Sequence, residues 1–242
     1  MYSRSLAYRF NLAQRLVGST PTFHLCMKVL EHSEVSFQWN DMNTRFWHPR
    51  RKPDRSPGIH ASDLLRKAAE EMGKLDPEEE RDEKMPLRMA IGIMVEEFVA
   101  SFYPTMNYQP GELEWNGIYG SPDGITSGMS YPGARSKYST LVEEVKATYK
   151  SCRLKGGDEK THRDITREWL YTQQVMSYIN MYSEMMDVDP LECLGRFHIF
   201  YIAGAYTYPL EPRYFRYVVQ FEEQELKGNR DVLLRYRERM AV

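Results

Sequence analysis

Residues 140–150 read TLVEEVKATYK, a short apolar strand pattern interrupted by Glu143, Glu144 and Lys146. Burying a charge costs several kcal/mol unless the group is paired or binds a metal. On a strand, residues two apart share a face. Glu144 and Lys146 therefore project together, while Glu143 points with Leu141 and Val145 to the other side.

Upstream, Asp123 lies in GSPDG, where two glycines and a proline set a sharp bend. If the strands over 118–125 and 141–149 pair, Asp123 sits beside Glu144. Two oxyanions so placed repel, and one gains a proton unless a cation holds them. A hard divalent ion prefers such carboxylate oxygens and keeps several waters. An ammonium like that of Lys146 can then orient a metal-activated water or stabilise a developing oxyanion. The construction suits hydrolysis of a phosphodiester. Alone, an E-x-K triplet is a weak signal in a chain with 27% charged residues, and a solvated pair on an edge strand gives the same pattern.

Two neighbouring segments extend it. IGIMVEEFV places Glu96 and Glu97 on a helix expected over 86–103, with Gly92 four residues ahead of Glu96. A helix-interior glycine costs about 1 kcal/mol, so it marks a close approach or a packing contact. QQVMSY puts Gln174 and Tyr178 four apart on one face of a helix expected over 164–186. Gln can hydrogen-bond a phosphate or a metal-bound water, and Tyr can stack on a base or sugar. The order of elements, helix acid, strand Asp, E-x-K strand, Q-x-x-x-Y helix, is more specific than any part.

In that order of motifs the chain resembles the PD-(D/E)xK nuclease superfamily, in its RecB-like branch of phage-type exonucleases. Asp123 matches the motif aspartate, Glu144 and Lys146 the E-x-K pair, and Gln174 and Tyr178 the branch's Q-x-x-x-Y element. Glu96 falls on the helix ligand, with Glu97 next in register, and the carbonyl of Val145 on a position that completes the metal shell. The resemblance implies a restriction-endonuclease-like core, a central mixed β-sheet flanked by helices, over residues 56–242. Residues 1–55 become an N-terminal extension packed on or capping it. It implies one or two Mg²⁺ or Mn²⁺ ions on Glu96, Asp123, Glu144 and Val145, with Asp123, Glu144 and Lys146 catalytic. DNA is the implied substrate, cut at its ends in recombination, repair or degradation, with a single-strand annealing or recombination protein as a further partner. A DNA-binding recombination accessory protein of the same fold, weak or inactive in catalysis, is the alternative.

Glu143 departs from the family, which places an apolar residue before the motif Glu. It faces solvent or a gap in the sheet packing, or it contributes to the site. Cys26, Cys152 and Cys193 are scattered and suit neither disulfides nor the iron–sulfur cluster of some relatives. No G-x-x-x-x-G-K-[ST] motif fuses the domain to a motor.

Outward from these motifs the chain carries 32 Lys and Arg against 34 Asp and Glu, with mean hydropathy −0.61. Those values fit a soluble, cytoplasmic protein, and no run approaches the roughly 20 apolar residues of a membrane span. Lys150, Arg153 and Lys155 follow the motif strand and are candidates for the DNA backbone, a contact that would weaken with salt. HPRRKPDR is a second basic cluster, with Phe46 and Trp47 just before it. A helix is expected over 5–17, and another from the N-cap Ser62 to Gly73, followed by an acidic loop at 76–83. Asn116-Gly117 reads as a hairpin turn. Two strands, over 196–209 and 213–221, and a terminal helix complete an α/β or α+β sheet covered by helices.

Overall fold

The computed structural model describes residues 26–34, 55–74, 85–137, 139–153, 164–206 and 211–240, with residues 85–89 by their backbone alone. Its centre is a strand of ten residues, β7 (Ser139–Thr148), buried on both faces for most of its length. β8 (Cys193–Tyr201) runs parallel to it, and β9 (Arg213–Gln220) runs antiparallel to β8. On the far side of β9 lies β1 (Lys28–Glu34), and on the other side of β7 lie β6 (Gly124–Met129) and β3 (Asn107–Tyr108). The order β1-β9-β8-β7-β6-β3 is a mixed sheet, as expected. β1 falls inside the stretch expected to be an extension and supplies an edge of the sheet. Residues 1–25 and 35–54, with the helix expected over 5–17 and Phe46 and Trp47, lie outside the described residues, as do the loop at 76–83 and Lys155.

Strand alternation divides the sheet into two unlike faces. Val142, Phe197, Ile199, Phe215, Tyr217 and Val219 point into the main core. There they meet α1 (Ala61–Glu71), α3 (Trp169–Met186) and α4 (Glu223–Met240), whose Leu64, Leu65, Met176, Ile179 and Leu233 are fully buried. Each such side chain stabilises the fold by about 1.5–3 kcal/mol. The opposite face carries a smaller apolar cluster, Leu141, Leu194 and Val218. α2 (Met85–Phe102) crosses that face, its Phe98 edge-on to Phe200 at 6.0 Å between ring centroids. Among the described residues no helix is long and apolar enough to cross a membrane.

A second, three-stranded sheet holds β2 (Ile59–His60), β5 (Ile118–Gly120) and β4 (Leu113–Trp115). The β4–β5 hairpin turns at Asn116 and Gly117, both at positive φ (50° and 69°), as the Asn-Gly pair predicts. The strand expected over 118–125 is broken. Residues 118–120 pair in the small sheet, Ser121 and Pro122 cross over, and Gly124 opens β6 against Glu143 of β7. Proline at the break cannot donate to a ladder, which explains the switch of sheets. Asp123 stands at that junction.

Two local expectations are corrected. Ser62 is not a cap: α1 begins at Ala61 after His60, and the Ser62 hydroxyl accepts a hydrogen bond from Arg55 Nη2 at 2.9 Å. A Cβ on Gly92 would meet nothing within 4 Å, so this glycine answers to no close packing among the described residues.

Candidate active site

Asp123 and the E-x-K strand meet. Asp123 Oδ2 accepts the backbone N–H of Val145, the residue between Glu144 and Lys146, at 2.8 Å. The break at Ser121-Pro122 lets the carboxylate turn onto β7, and this bond fixes its orientation. Glu144 lies beneath α3 at 2% exposure, and its carboxylate forms an ion pair with Lys146. Lys146 keeps 26% of its side chain exposed, and its ammonium lies 5.7 Å from the centroid of the Tyr171 ring.

The electrostatics follow from this crowding. Burial pushes the Glu144 carboxyl up to about 7; Lys146 opposes that shift, while Asp123 and buried Glu96 add to it. For Lys146 burial alone would lower the pKa, but Glu144, Asp123 and Tyr178 outweigh it and the net direction is up. The lysine is therefore a permanent cation. Tyr178 is pushed up by burial, then by Glu144, with Lys146 opposing, and its phenol stays neutral.

These shifts carry a stability prediction. The folded Glu144 carboxyl holds its proton up to about pH 7, whereas its ordinary value is 4.5. Its contribution to stability is thus complete below pH 4.5 and lost as pH rises through about 7. Glu144→Gln is expected to remove on the order of 2–3 kcal/mol of that decline. Thermal melts of metal-free protein between about pH 5 and pH 8 would read it as a flatter curve of Tm against pH.

α3 covers the site from the core side. Its paired glutamines divide: Gln173 is fully buried and accepts from Asn229 Nδ2 of α4 at 2.9 Å, while Gln174 is half-buried on the face of Tyr171 and Tyr178. Tyr178 approaches the small sheet at Gly120, where a Cβ would come within 2.9 Å of its ring and 2.7 Å of Met181 Sδ. Gly120 is needed for that contact. Tyr171 is absent from the expected site, although its position seven residues before Tyr178 places it on the same helix face. Tyr108, on β3, is a second such residue; it stands near Glu96, Glu97 and Asp123, and no sequence motif marks it.

The basic candidates lie beyond the end of β7. Lys150 reaches Glu168 at 3.8 Å, and Arg153 N–H donates to Ser151 Oγ at 3.1 Å. Arg55, from the second basic run, is close enough to Tyr178 to favour its phenolate slightly.

Glu143 is neither solvent-facing nor part of the site. It is fully buried (0% exposed) on the α2 face of the sheet. Arg196 forks onto both its oxygens, with Nε at 2.6 Å from Oε2. Thr126 Oγ1 donates to Oε1 at 2.7 Å, and His198 Nε2 lies 3.0 Å from Oε2. Burial pulls against ionisation of Glu143, but His198 and Arg196 hold its carboxyl below the usual range. Burial also lowers the pKa of His198, which is thus neutral, donates from Nε2–H to Glu143 and accepts the Tyr214 hydroxyl at Nδ1. The charges balance as one carboxylate and one guanidinium. The network continues through Tyr214 and Tyr103 to Arg216, which pairs with Glu31 of the edge strand.

The donors fit Mg²⁺ or Mn²⁺ in kind: hard carboxylate oxygens, with Glu144 pushed up first by burial and then by the charges of Asp123 and Glu96. As placed, no three His, Cys, Asp or Glu side chains among the described residues are gathered closely enough to hold a metal ion.

No protein-family profile matches the chain, and no curated protein matches it. A solved structure to which it is similar is a phage-related exonuclease from Haemophilus somnus 129PT. The two are 13% identical, the match covers 76% of this chain and 95% of that one, and the TM-score is 0.37. At that score and identity the likeness carries no chemistry over to this chain.

Proposed function

We propose that this protein is a metal-dependent deoxyribonuclease of the PD-(D/E)xK type, an exonuclease hydrolysing phosphodiester bonds at DNA ends. The observation that supports it most directly is the bond from Val145 N–H to Asp123 Oδ2, which sets the motif aspartate against the E-x-K strand.

In this reading Glu96, Asp123, Glu144 and the carbonyl of Val145 hold Mg²⁺ or Mn²⁺. The ion supplies Lewis-acid activation of water and charge neutralisation at the leaving oxygen. Lys146, kept protonated by its carboxylate neighbours, orients the attacking water and stabilises the anionic phosphate. Glu144, whose carboxyl burial pushes up to about 7, would be one of the groups to hold the cation. Gln174 and Tyr178 present an amide and a neutral phenol to the substrate, and Lys150 and Arg153 meet its backbone. A single-strand annealing or recombination protein is the partner this activity would serve.

A second reading, a DNA-binding accessory protein with no turnover, is favoured by two observations. The Glu144 carboxylate is committed to Lys146, and no three ligands are gathered among the described residues.

Incubating purified protein with linear and covalently closed circular DNA in Mg²⁺ or Mn²⁺ separates the readings. Linear DNA is expected to be consumed from its ends, circles to persist, and chelation to stop the reaction. Cutting of closed circles would exclude an exonuclease, and tight binding with no hydrolysis in any divalent metal would establish the accessory role.

A further inference from the structure

We infer that Tyr149 and Tyr206, with Lys150 and Arg153 beside them, form a stacking platform for unpaired DNA at the end of the strand that carries Lys146. The inference rests on the nuclease reading above for its ligand. It adds two residues, and a single-stranded state of the DNA, that the reading does not contain.

Tyr149 and Tyr206, at 40% and 57%, are the only Phe, Trp or Tyr side chains exposed among the described residues. They sit on two loops that leave the sheet side by side, because β7 and β8 are parallel and end together at Thr148 and Tyr201. The carboxyl ends of adjacent parallel strands are where α/β sheets hold ligands. The loops are laced together. Ile202 N–H donates to the Thr148 carbonyl at 2.9 Å, and Cys152 N–H to the Gly204 carbonyl at 2.8 Å. Tyr206 N–H closes the turn on the Ala203 carbonyl at 3.1 Å. Tyr206 adopts φ 58°, a left-handed conformation that bulky residues rarely take and that clusters at functional sites. From there its hydroxyl donates to the Tyr149 carbonyl. The ring is fixed at its backbone and at its tip, so little freedom remains to be lost when a ligand arrives.

Fixed, exposed rings beside cations suit an unpaired strand: any base can stack on a ring, and phosphates meet the charges. Lys150 follows Tyr149 directly, its side chain 43% exposed and 3.8 Å from Glu168, a loose pair that a phosphate can replace. Arg153 stands just beyond the tie at Cys152. Arg213, in reach of Gly204, is engaged by Glu34 at 2.7 Å and Glu211 at 3.3 Å, so the two loop cations carry the charge. A duplex keeps its base faces inside the stack and offers the rings only its last pair. Tyr149 lies three residues past Lys146, at most about 11 Å along the backbone. A strand held on the platform therefore runs on toward the Lys146 ammonium.

Fluorescence anisotropy of a labelled DNA single strand of about 12 nucleotides, with the full chain in EDTA, tests this without reference to metal or turnover. Tyr206→Ala and Tyr149→Ala are each expected to weaken binding by about 5–100-fold, with Tm and the salt dependence of binding unchanged. Lys150→Ala and Arg153→Ala should instead flatten the fall of log K with log salt, by about 0.7 each. Tyr206→Phe, which keeps the ring and loses its tether to the Tyr149 carbonyl, should lose less than Tyr206→Ala. The same sequence as a duplex should bind more weakly and ignore the tyrosine changes. Equal binding by wild type and both alanine variants, or an equal loss on duplex, overturns the platform and leaves the nuclease reading standing. Tighter binding of an RNA strand of the same sequence would overturn the assignment to DNA. If wild type holds no single strand in EDTA the platform falls, while digestion of linear DNA in Mg²⁺ decides the nuclease reading independently.

Discussion

Arg196→Met is expected to destabilise the protein by about 3–5 kcal/mol, because it strips the counter-charge from a carboxylate with no access to water. In a chain of this size that lowers Tm by on the order of 10 °C. Glu143 then keeps only the neutral donors Thr126 and His198. Replacing both partners, as in Glu143→Leu with Arg196→Met, should recover most of the loss, since a buried ion pair contributes little net stability over apolar residues of similar volume. The residue of the loss lies in His198, whose Nε2 would be left without its acceptor, at about 1–3 kcal/mol. Chemical denaturation of the two single variants and the double variant gives the coupling directly. An additive double variant, as unstable as the two losses summed, would show that Glu143 and Arg196 do not act as a pair.

Activity should respond to a different change. Lys146→Met is expected to lower kcat by about 10²–10³-fold with little change in KM, the pattern of a group acting mainly in the transition state. It should also alter the pH profile. Lys146 is the only group that opposes the rise of Glu144 among the causes that act most strongly on that carboxyl. Without it the Glu144 pKa moves above 7, so the acidic limb of the residual activity shifts to higher pH. Steady-state rates on a linear duplex across about pH 6–9 would show both effects. Unchanged kcat in Lys146→Met would remove the lysine, and with it the E-x-K assignment, from the chemistry.

The two faces of β7 show how far the sequence could be read. Period-two alternation alone assigned Glu144 and Lys146 to one side and Glu143 to the other, and the strand keeps that arrangement. The hairpin at Asn116-Gly117 was equally legible, because its turn chemistry is local. What satisfies Glu143 was not. Arg196 and His198 lie 53 and 55 residues downstream, and only the parallel register of β7 and β8 brings them opposite Glu143 and Val145. β1 was missed for another reason: KVLEHSE is an edge strand, half-exposed along its length, and shows no clean apolar alternation. The break at Ser121-Pro122 was hidden because both halves of 118–125 are β-structure, in different sheets. Tyr108 and Tyr171 carry no motif, and the place of Tyr108 near the acids and of Tyr171 against Lys146 comes from tertiary packing.

The position of β1 has a consequence for how the chain is made. Met27 N–H donates to Glu225 Oε1 across 198 residues, and among the described residues β1 pairs with β9 alone. Contacts so distant in sequence must await closure of a very long loop, which slows folding. On the ribosome, Glu96, Asp123, Glu144 and Lys146 all emerge before Arg196, and long before β9 can receive β1. These four groups are thus synthesised well ahead of the strands that fix them. A nascent chain halted before β8 would hold all four acidic and basic groups without the framework that aligns them.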